Sequence, residues 1–217
     1  MRDGASGEAG GGSRDVAARV AQRTLAKRGA EYEGEVRRLL DAALEVMRTC
    51  GITSRPRVAD IVAAAGLSND AFYRHFRSKD ALVAAILEDG AERLGSYLGH
   101  QMAKEATPEG KVRRWVEGVL SQAADEAIAS TTLAVIWNGG SLGEGLTSGR
   151  PSASAPLAVL LREPFAELGS ADPELDASLV AHGVVGRLSD YLWERVRPTP
   201  AEIDHVAEFC LAAVSSV

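Results

Sequence analysis

The sequence of 217 residues predicts an all-α protein with two parts, a small N-terminal helical domain and a larger C-terminal one. Apolar residues recur every three or four positions along most of the chain, which is the period of an amphipathic helix. Capping residues and glycines delimit these segments as helix starts and stops do. No stretch alternates apolar and polar residues as a half-buried strand would. With 46% hydrophobic residues the chain can bury a substantial core.

The first thirty residues predict a tail followed by a basic arm. Residues 1–12 are rich in glycine and have no hydrophobic period, so we expect a disordered tail. Ser13 can cap a helix and Gly29 can end it, which predicts a short helix within an arm over residues 13–30. Its cations are Arg14, Arg19, Arg23, Lys27 and Arg28. Two interpretations stay open, a solvated helix and an arm that touches DNA, because a terminal charge run is only a compositional signal.

Residues 31–78 predict three helices. The first has an apolar stripe and ends at Gly51, and the second runs from Val58 to Gly66, a typical terminal glycine. Ser68 then caps a third helix of about two turns. The stripe of the first helix consists of Val36, Leu39, Leu40, Ala43 and Met47.

The third helix concentrates aromatic residues in the stretch GLSNDAFYRHF, residues 66–76. Phe72 and Phe76 share one face, and we expect both in the core because so short a helix needs a large anchor. Tyr73 lines up instead with Asn69 on an outward polar face. Two short helices joined by Gly-Leu-Ser, with polar residues facing outward, are typical of a helix-turn-helix whose second helix enters the DNA major groove.

Charge is divided unevenly along the chain. Residues 14–79 carry 13 basic and 8 acidic residues, whereas residues 81–217 carry 10 basic and 19 acidic residues, and the whole chain has a net charge of −6. A basic N-terminal module suits a polyanionic partner, which the acidic remainder would repel.

Residues 79–217 predict the larger domain. Ser78 caps a long helix that Gly90 can bend or interrupt, and the Thr107-Pro-Glu start predicts a further helix. A third segment contains Leu133, Ile136 and Trp137. Residues 139–156 lose all periodicity and predict a long flexible loop. The last two helices start at Asp172-Pro and at the capping box Thr199-Pro-Ala-Glu, and end near residues 196 and 215.

Residues 57–87, RVADIVAAAGLSNDAFYRHFRSKDALVAAIL, resemble the DNA-binding signature of the tetracycline-repressor (TetR-type) family of bacterial transcription regulators. The resemblance covers residues ~35–87, about a quarter of the chain. The matching residues are Ile61, Ala64, Ala65, Gly66, Leu67, Ser68, Tyr73, His75, Phe76, Lys79 and Leu82.

The resemblance implies an all-α homodimer with an N-terminal helix-turn-helix DNA-binding domain and a larger domain that binds a small-molecule effector. Such a protein binds a double-stranded DNA operator, and its effector usually releases the DNA. Carried over by position, Asn69, Asp70 and Tyr73 would face base edges. The implied phosphate contacts are Arg57, Ser68, Arg74, His75 and Lys79. Asp70 departs from the small residue common there, and either accepts a hydrogen bond from cytosine or repels phosphate.

The family context also suggests an effector site and a dimer interface in the larger domain. Candidate effector-binding residues are Tyr97, His100, Trp115, Trp137, Phe165 and His182, each of which is also a candidate for plain core. The last two helices would form the dimer, with candidate interface residues Leu179, Gly183, Gly186, Leu188, Tyr191, Leu192, Val206 and Cys210. An apolar effector is expected, and neither the effector nor the operator sequence can be identified from one chain.

Other function classes find little support. The isolated Cys50 and Cys210 indicate neither a disulfide framework nor a zinc site, and His205 with Glu208 lacks a third metal ligand. The GGSLGEG stretch follows no strand and is interpreted as a loop rather than a phosphate cradle. We therefore expect no enzyme, cofactor, metal or membrane partner and a cytoplasmic location, since no long apolar segment occurs. The alternatives are a helical-bundle enzyme and a helix-turn-helix protein that binds only a protein partner.

Overall fold

The computed structural model describes the backbone of residues 11–139 and 154–214, and the side chains of residues 16–138 and 154–214. All regular elements within these ranges are helical, as the sequence predicts. The N-terminal four are α1 (Gly11–Cys50), α2 (Val58–Ala65), α3 (Asn69–His75) and α4 (Lys79–Met102). The others are α5 (Pro108–Leu120), a 3-10 turn (Ser121–Ala123), α6 (Glu126–Gly139), α7 (Ala155–Val159), α8 (Arg162–Glu167), α9 (Pro173–Glu194) and α10 (Pro200–Val214).

Helix α1 corrects the prediction of two separate N-terminal helices. It runs without a break through Gly29, so this glycine is not a stop, and it already includes Gly11 and Gly12 of the predicted tail. Residues 1–10 lie outside the described part of the chain. A glycine inside a helix costs only ~1 kcal/mol relative to alanine, and the strong helix formers on either side of Gly29 offset that cost.

The predicted helix-turn-helix is confirmed in its local geometry. Gly66 ends α2 in the left-handed conformation, with φ of 63°, where a residue with a Cβ would be strained. The hydroxyl of Ser68 then accepts a hydrogen bond from the Ala71 amide at 3.1 Å and caps α3. Ser78 caps α4 in the same way, through the Ala81 amide. The core of this domain includes Leu39, Met47, Ile61, Phe72, Leu82 and Val83.

The larger domain packs α5 at its centre, in contact with α4, α9 and α10. Trp115 of α5 is fully buried, and its indole N–H donates to the Leu157 carbonyl at 3.1 Å. The predicted starts of α5, α9 and α10 are confirmed, including the reciprocal capping box in which the Thr199 amide donates to Glu202 at 2.8 Å. Sequence reasoning missed α7 and α8. Most of the predicted loop, residues 140–153, lies outside the described residues, but Ala155 and Pro156 are helical.

Two helices belong to both cores. The N-terminal half of α4 packs in the N-terminal domain through Leu82, and its C-terminal half packs in the larger domain through Leu98. Helix α4 also continues through Gly90 without interruption. Helix α6 contributes Val135 to the first core and Leu133 to the second. The two domains are therefore joined by shared helices and packed side chains. None of the described helices is both long and apolar enough to cross a bilayer.

Candidate nucleic-acid interface

Helix α3 is held in place by two phenylalanines, as the sequence predicts. The side chain of Phe72 is fully buried and Phe76 is 9% exposed, and their ring centroids lie 5.9 Å apart. Helix α3 has only seven residues, and isolated helices of that length are unstable in water. Its position therefore depends on this packing and on the Ser68 cap.

The opposite face of α3 is open to solvent. Asn69 and Asp70 are exposed, and Tyr73 is 60% exposed although it is aromatic. The Tyr73 ring stands edge-on to Phe72 at a centroid distance of 5.2 Å, which fixes its direction. An exposed amide, a carboxylate and a phenol thus stand together on a rigid short helix. These groups can donate to and accept from base edges or phosphate oxygens.

Two of these polar residues also stabilise α3 itself. The Ser68 hydroxyl oxygen is occupied as the cap but keeps its proton available for donation to a phosphate. Asp70 lies in the first turn of α3, where a negative charge interacts favourably with the helix dipole. This role accounts for an acidic residue on a surface that is otherwise suited to DNA.

Three of the predicted phosphate contacts are the cations Arg57, Arg74 and Lys79, and the first two are already paired with carboxylates. Arg57 precedes α2 and forms two hydrogen bonds of 2.9 Å with Asp60, which raise the pKa of Arg57 and lower that of Asp60. Arg74 donates to Glu35 at 3.2 Å. Lys79, half-buried, is the first residue of α4. Exposed ion pairs contribute little stability, so phosphate can replace the carboxylates at small cost.

His75 contradicts its predicted role as a phosphate contact. Its side chain is fully buried, and Nε2 lies 2.7 Å from the Glu35 carboxylate. Because a carboxylate only accepts, Nε2 carries the proton of this hydrogen bond. The same bond is the largest cause of the lowered pKa of Glu35. His75 is therefore a structural link between α3 and α1, and its Nδ1 has no hydrogen-bond partner among the described residues.

The link to α1 includes residues that sequence reasoning missed. The Tyr32 ring stands edge-on to His75 at a centroid distance of 4.1 Å, and its hydroxyl donates to the Arg74 carbonyl at 3.4 Å. Glu35 contacts both Arg74 and His75. These contacts join residues about 40 positions apart, so no local pattern could have indicated them. Arg77, exposed between α3 and α4, is a further cation that was missed.

The predicted effector-binding residues do not converge on one site in the described structure. Trp115 and Phe165 are fully buried core residues, whereas Tyr97, His100 and His182 are exposed. Trp137 is half-buried, and the Arg55 guanidinium lies over its ring at 5.6 Å. A groove of about 520 Å³ lies instead between α1 and α6. It is lined by Asp41, Leu44, Glu45, Arg48, Ala127, Ile128, Thr131 and Thr132.

The predicted dimer residues divide into two groups. The buried ones serve the core of one chain and correct the prediction, namely Leu188, Tyr191, Leu192 and Cys210. Leu179, Gly183 and Gly186 are exposed, whereas Val206 is half-buried and packs against the core. Leu179 is 62% exposed, and Leu175 and Trp193 lie on the same outward face of α9. Phe209, missed from sequence, is 69% exposed on the outer face of α10. Burial raises the pKa of the Cys210 thiol to about 11.

The described residues contain no group of three or more His, Cys, Asp and Glu side chains placed to hold a metal ion. His205 and Glu208 are both exposed on α10, and Glu208 pairs with Arg113.

Residues 39–86 match the family model described as "Bacterial regulatory proteins, tetR family". This segment contains α2, α3 and the Gly66 turn between them, so the match coincides with the helix-turn-helix geometry. The similarity to the TetR family is therefore shown for residues 39–86, which are 48 of the 217 residues. The chain is all-α in its described residues.

Individual relatives are similar to this chain either in a short stretch of sequence or in fold. An uncharacterized HTH-type transcriptional regulator of Bacillus subtilis, YvdT, is 39% identical over 59 residues, which are 27% of this chain and only 30% of YvdT. A putative TetR-family regulator from Mesorhizobium loti has the same fold, with a TM-score of 0.62 at 16% identity over 85% of this chain and 96% of that one. The structure of RolR in complex with resorcinol has a TM-score of 0.59 at 17% identity, and the match covers 85% of this chain and 89% of RolR.

Proposed function

We propose that this protein is a TetR-family, DNA-binding transcription regulator that reads its operator with α3. The proposal rests on the contrast between the two faces of that helix, of which one is buried and the other is exposed to solvent. Phe72 is fully buried, while Asn69, Asp70 and Tyr73 face solvent from a helix of seven residues. A structural helix has no need to display an aromatic ring that is 60% exposed.

The proposed contacts divide by chemistry. Asn69 offers the donor and acceptor pair that suits adenine, and Tyr73 can touch a thymine methyl or a phosphate. Arg57, Ser68, Arg74 and Lys79 are the proposed phosphate contacts, which position the helix without reading sequence. His75 is left out, because its buried side chain is committed to Glu35.

We place the homodimer interface on the outer faces of α9 and α10. Leu175, Leu179 and Trp193 form one exposed stripe of α9, and Phe209 is exposed on α10. Large apolar side chains at such exposure favour burial against a second copy. A methyl group added at Gly183 or Gly186 would meet no described atom within 4 Å, so both glycines leave room for a partner helix to approach. A two-fold dimer implies an operator that is an inverted repeat.

We propose further that a small apolar effector lowers the affinity for DNA. RolR, which shares the fold, binds resorcinol. In this chain α6 offers a route of coupling, since it packs Val135 into the DNA-binding core and holds Arg55 of the α1–α2 connection over Trp137. A ligand that shifts α6 would therefore displace α1 and the position of α3. Coupling of ~1–3 kcal/mol is typical of such regulators.

Selection of duplex DNA from a random pool tests the proposed function. The full chain should enrich one inverted repeat, and binding to it should fall steeply with salt. A helix-turn-helix protein that binds only a protein partner, or a helical-bundle enzyme, would enrich no sequence. Light scattering should give twice the chain mass of 22.9 kDa, and Leu179→Glu with Phe209→Glu should give the monomer mass. A wild-type monomer that binds a single asymmetric site would contradict the dimer.

A further inference from the structure

Helix α1 extends far beyond the domain it belongs to. Every residue from 16 to 34 is exposed, whereas burial begins at Glu35 and Leu39. Nineteen helical residues rise ~28 Å, so the segment projects by about the diameter of a small domain. We call residues 16–34 the helical extension. Apart from Tyr32 at its base, its side chains are not buried against any described part of the chain, and a helix without a packed face has no evident structural purpose.

The outer part of the helical extension is strictly basic. Between Val16 and Arg28 it carries four cations and no acidic residue, in a chain with a net charge of −6. These cations are Arg19, Arg23, Lys27 and Arg28. Arg19, Arg23 and Lys27 recur every four positions and form one row with a spacing of ~6 Å. Lys27 has a loose contact of 3.9 Å with Glu31, and both side chains are well exposed.

The base of the extension lies beside the proposed reading helix. Tyr32 contacts the Arg74 carbonyl and the His75 ring, and Glu35 contacts both side chains at the C-terminal end of α3. A rigid basic helix therefore starts where the proposed DNA interface ends. Glu31 and Glu33 separate the basic row from this base, so favourable contact with an anion is confined to residues 16–28.

The apolar residues of the extension do not indicate a second copy as its partner. Val16, Val20 and Leu25 are exposed. The heptad register through the two valines continues to Arg23 and Lys27, and a register through Leu25 includes Gln22 and Gly29. A coiled-coil seam needs apolar residues at these positions. The charge is therefore the property that a partner would recognise.

We propose that residues 16–28 of the helical extension bind the phosphate backbone of DNA adjoining the operator. This proposal rests on the proposed function, and it adds a second DNA-binding surface to each protomer. The proposed contact is electrostatic, because guanidinium and ammonium groups in a regular row match the repeating charge of the phosphate backbone.

The test uses the full chain and the operator selected by the wild-type protein. One duplex is trimmed to the operator, and the other carries ~10 extra base pairs on each side, about one turn of DNA. The variant R19Q/R23Q/K27Q/R28Q removes the row with a good helix former. The matched control K104Q/R113Q/R162Q/R197Q removes the same charge from exposed sites of the larger domain.

We call R19Q/R23Q/K27Q/R28Q the row variant. On the extended duplex, its slope of log affinity against log salt concentration should be shallower by ~0.9 for each lost phosphate contact, and by up to ~3.6 for one bound extension. That slope makes the wild-type affinity fall about a hundred-fold more than the variant affinity between ~50 and ~200 mM salt. On the trimmed duplex the two proteins should agree, and the control should match wild type on both. Circular dichroism of both variants should show unchanged helix content.

Failure of this inference is separable from failure of the proposed function. If wild type and control select and bind the operator but the row variant has the wild-type slope on both duplexes, the helical extension does not bind DNA. Equal losses on the trimmed and extended duplexes also overturn the proposal. A changed mass of the R19Q/R23Q/K27Q/R28Q variant in light scattering would overturn it as well, because the basic row would then bind a second copy. The proposal also fails if the substitutions abolish binding to phosphatidylserine vesicles and leave the DNA affinity unchanged. If wild type enriches no sequence, the proposed function falls and this inference falls with it.

Discussion

Replacement of Phe72 by alanine tests whether packing holds the reading helix in place. The side chain is fully buried between α3 and the other helices of the DNA-binding core. It also supports the Phe76 and Tyr73 rings at 5.9 and 5.2 Å. Truncation removes the main anchor of a helix that cannot form alone.

The expected cost is the loss of buried apolar surface together with a cavity. For a fully buried phenylalanine this amounts to ~3–5 kcal/mol. Phe72→Leu keeps most of the buried volume, so it should cost less than ~1.5 kcal/mol. Asn69→Ala is the control on the same helix, since its exposed side chain should change stability by no more than ~0.5 kcal/mol.

Urea unfolding followed by two probes measures the cost and locates it. All three tryptophans lie outside the DNA-binding domain, at positions 115, 137 and 193. Because Arg55 of the N-terminal domain lies over Trp137, the measurement uses a Trp137→Phe background. Fluorescence of Trp115 and Trp193 then reports the larger domain, whereas far-UV circular dichroism reports every helix. Phe72→Ala should lower the midpoint of the circular dichroism transition by more than that of the fluorescence transition, and should abolish operator binding before global unfolding.

A small effect of Phe72→Ala on stability would contradict the claim that buried packing holds α3 in place. If Phe72→Ala lowers the free energy of unfolding by less than ~1 kcal/mol and still binds the operator, then α3 is not held by its buried face.

Three further outcomes follow from individual side chains. His75→Ala should destabilise the N-terminal domain in thermal melts yet leave the salt slope of binding unchanged. Lys79→Ala should lower that slope by ~0.9 for each protomer, or ~1.8 for the dimer. Folding lowers the pKa of Glu35 from 4.5. Its contribution to stability is therefore present above pH 4.5 and is lost as the pH falls through the pKa of the folded state. Glu35→Gln should make the free energy of unfolding less dependent on pH in this acid range. Cys210, with its pKa near 11, should resist iodoacetamide at about pH 8 until urea unfolds the chain, as mass spectrometry would show.

The sequence predicted what depends on neighbouring residues. The Ser68 and Ser78 caps, the Gly66 turn and the Thr199–Glu202 capping box are short-range chemistry, and all of them form as expected. The outward direction of Tyr73 also follows from helical spacing alone. The reading surface of the candidate site was therefore accessible from one short stretch, residues 66–76.

What depends on contacts far apart in the chain was missed. The position of His75 in the motif suggests a phosphate contact. Its side chain is buried instead, and it forms a hydrogen bond with Glu35, which lies 40 residues earlier in the chain. Helix α9 has apolar residues on two faces, and its packing against other helices, among them α5, α7 and α8, decides that Leu188 is buried and Leu179 is exposed. Gly29 looks like a stop because local rules cannot weigh its cost against the helix formers around it.

The most direct test of the central claim compares Asn69→Ala with wild type on the selected operator and on operators altered at one base pair at a time. If α3 reads the operator, Asn69→Ala should melt as wild type does in circular dichroism. It should lose ~1–3 kcal/mol of discrimination between bases at one base pair of each half-site. Preferences at the other positions should stay as in wild type. Unchanged affinity and unchanged preference at every position would contradict the claim that α3 reads this protein's DNA.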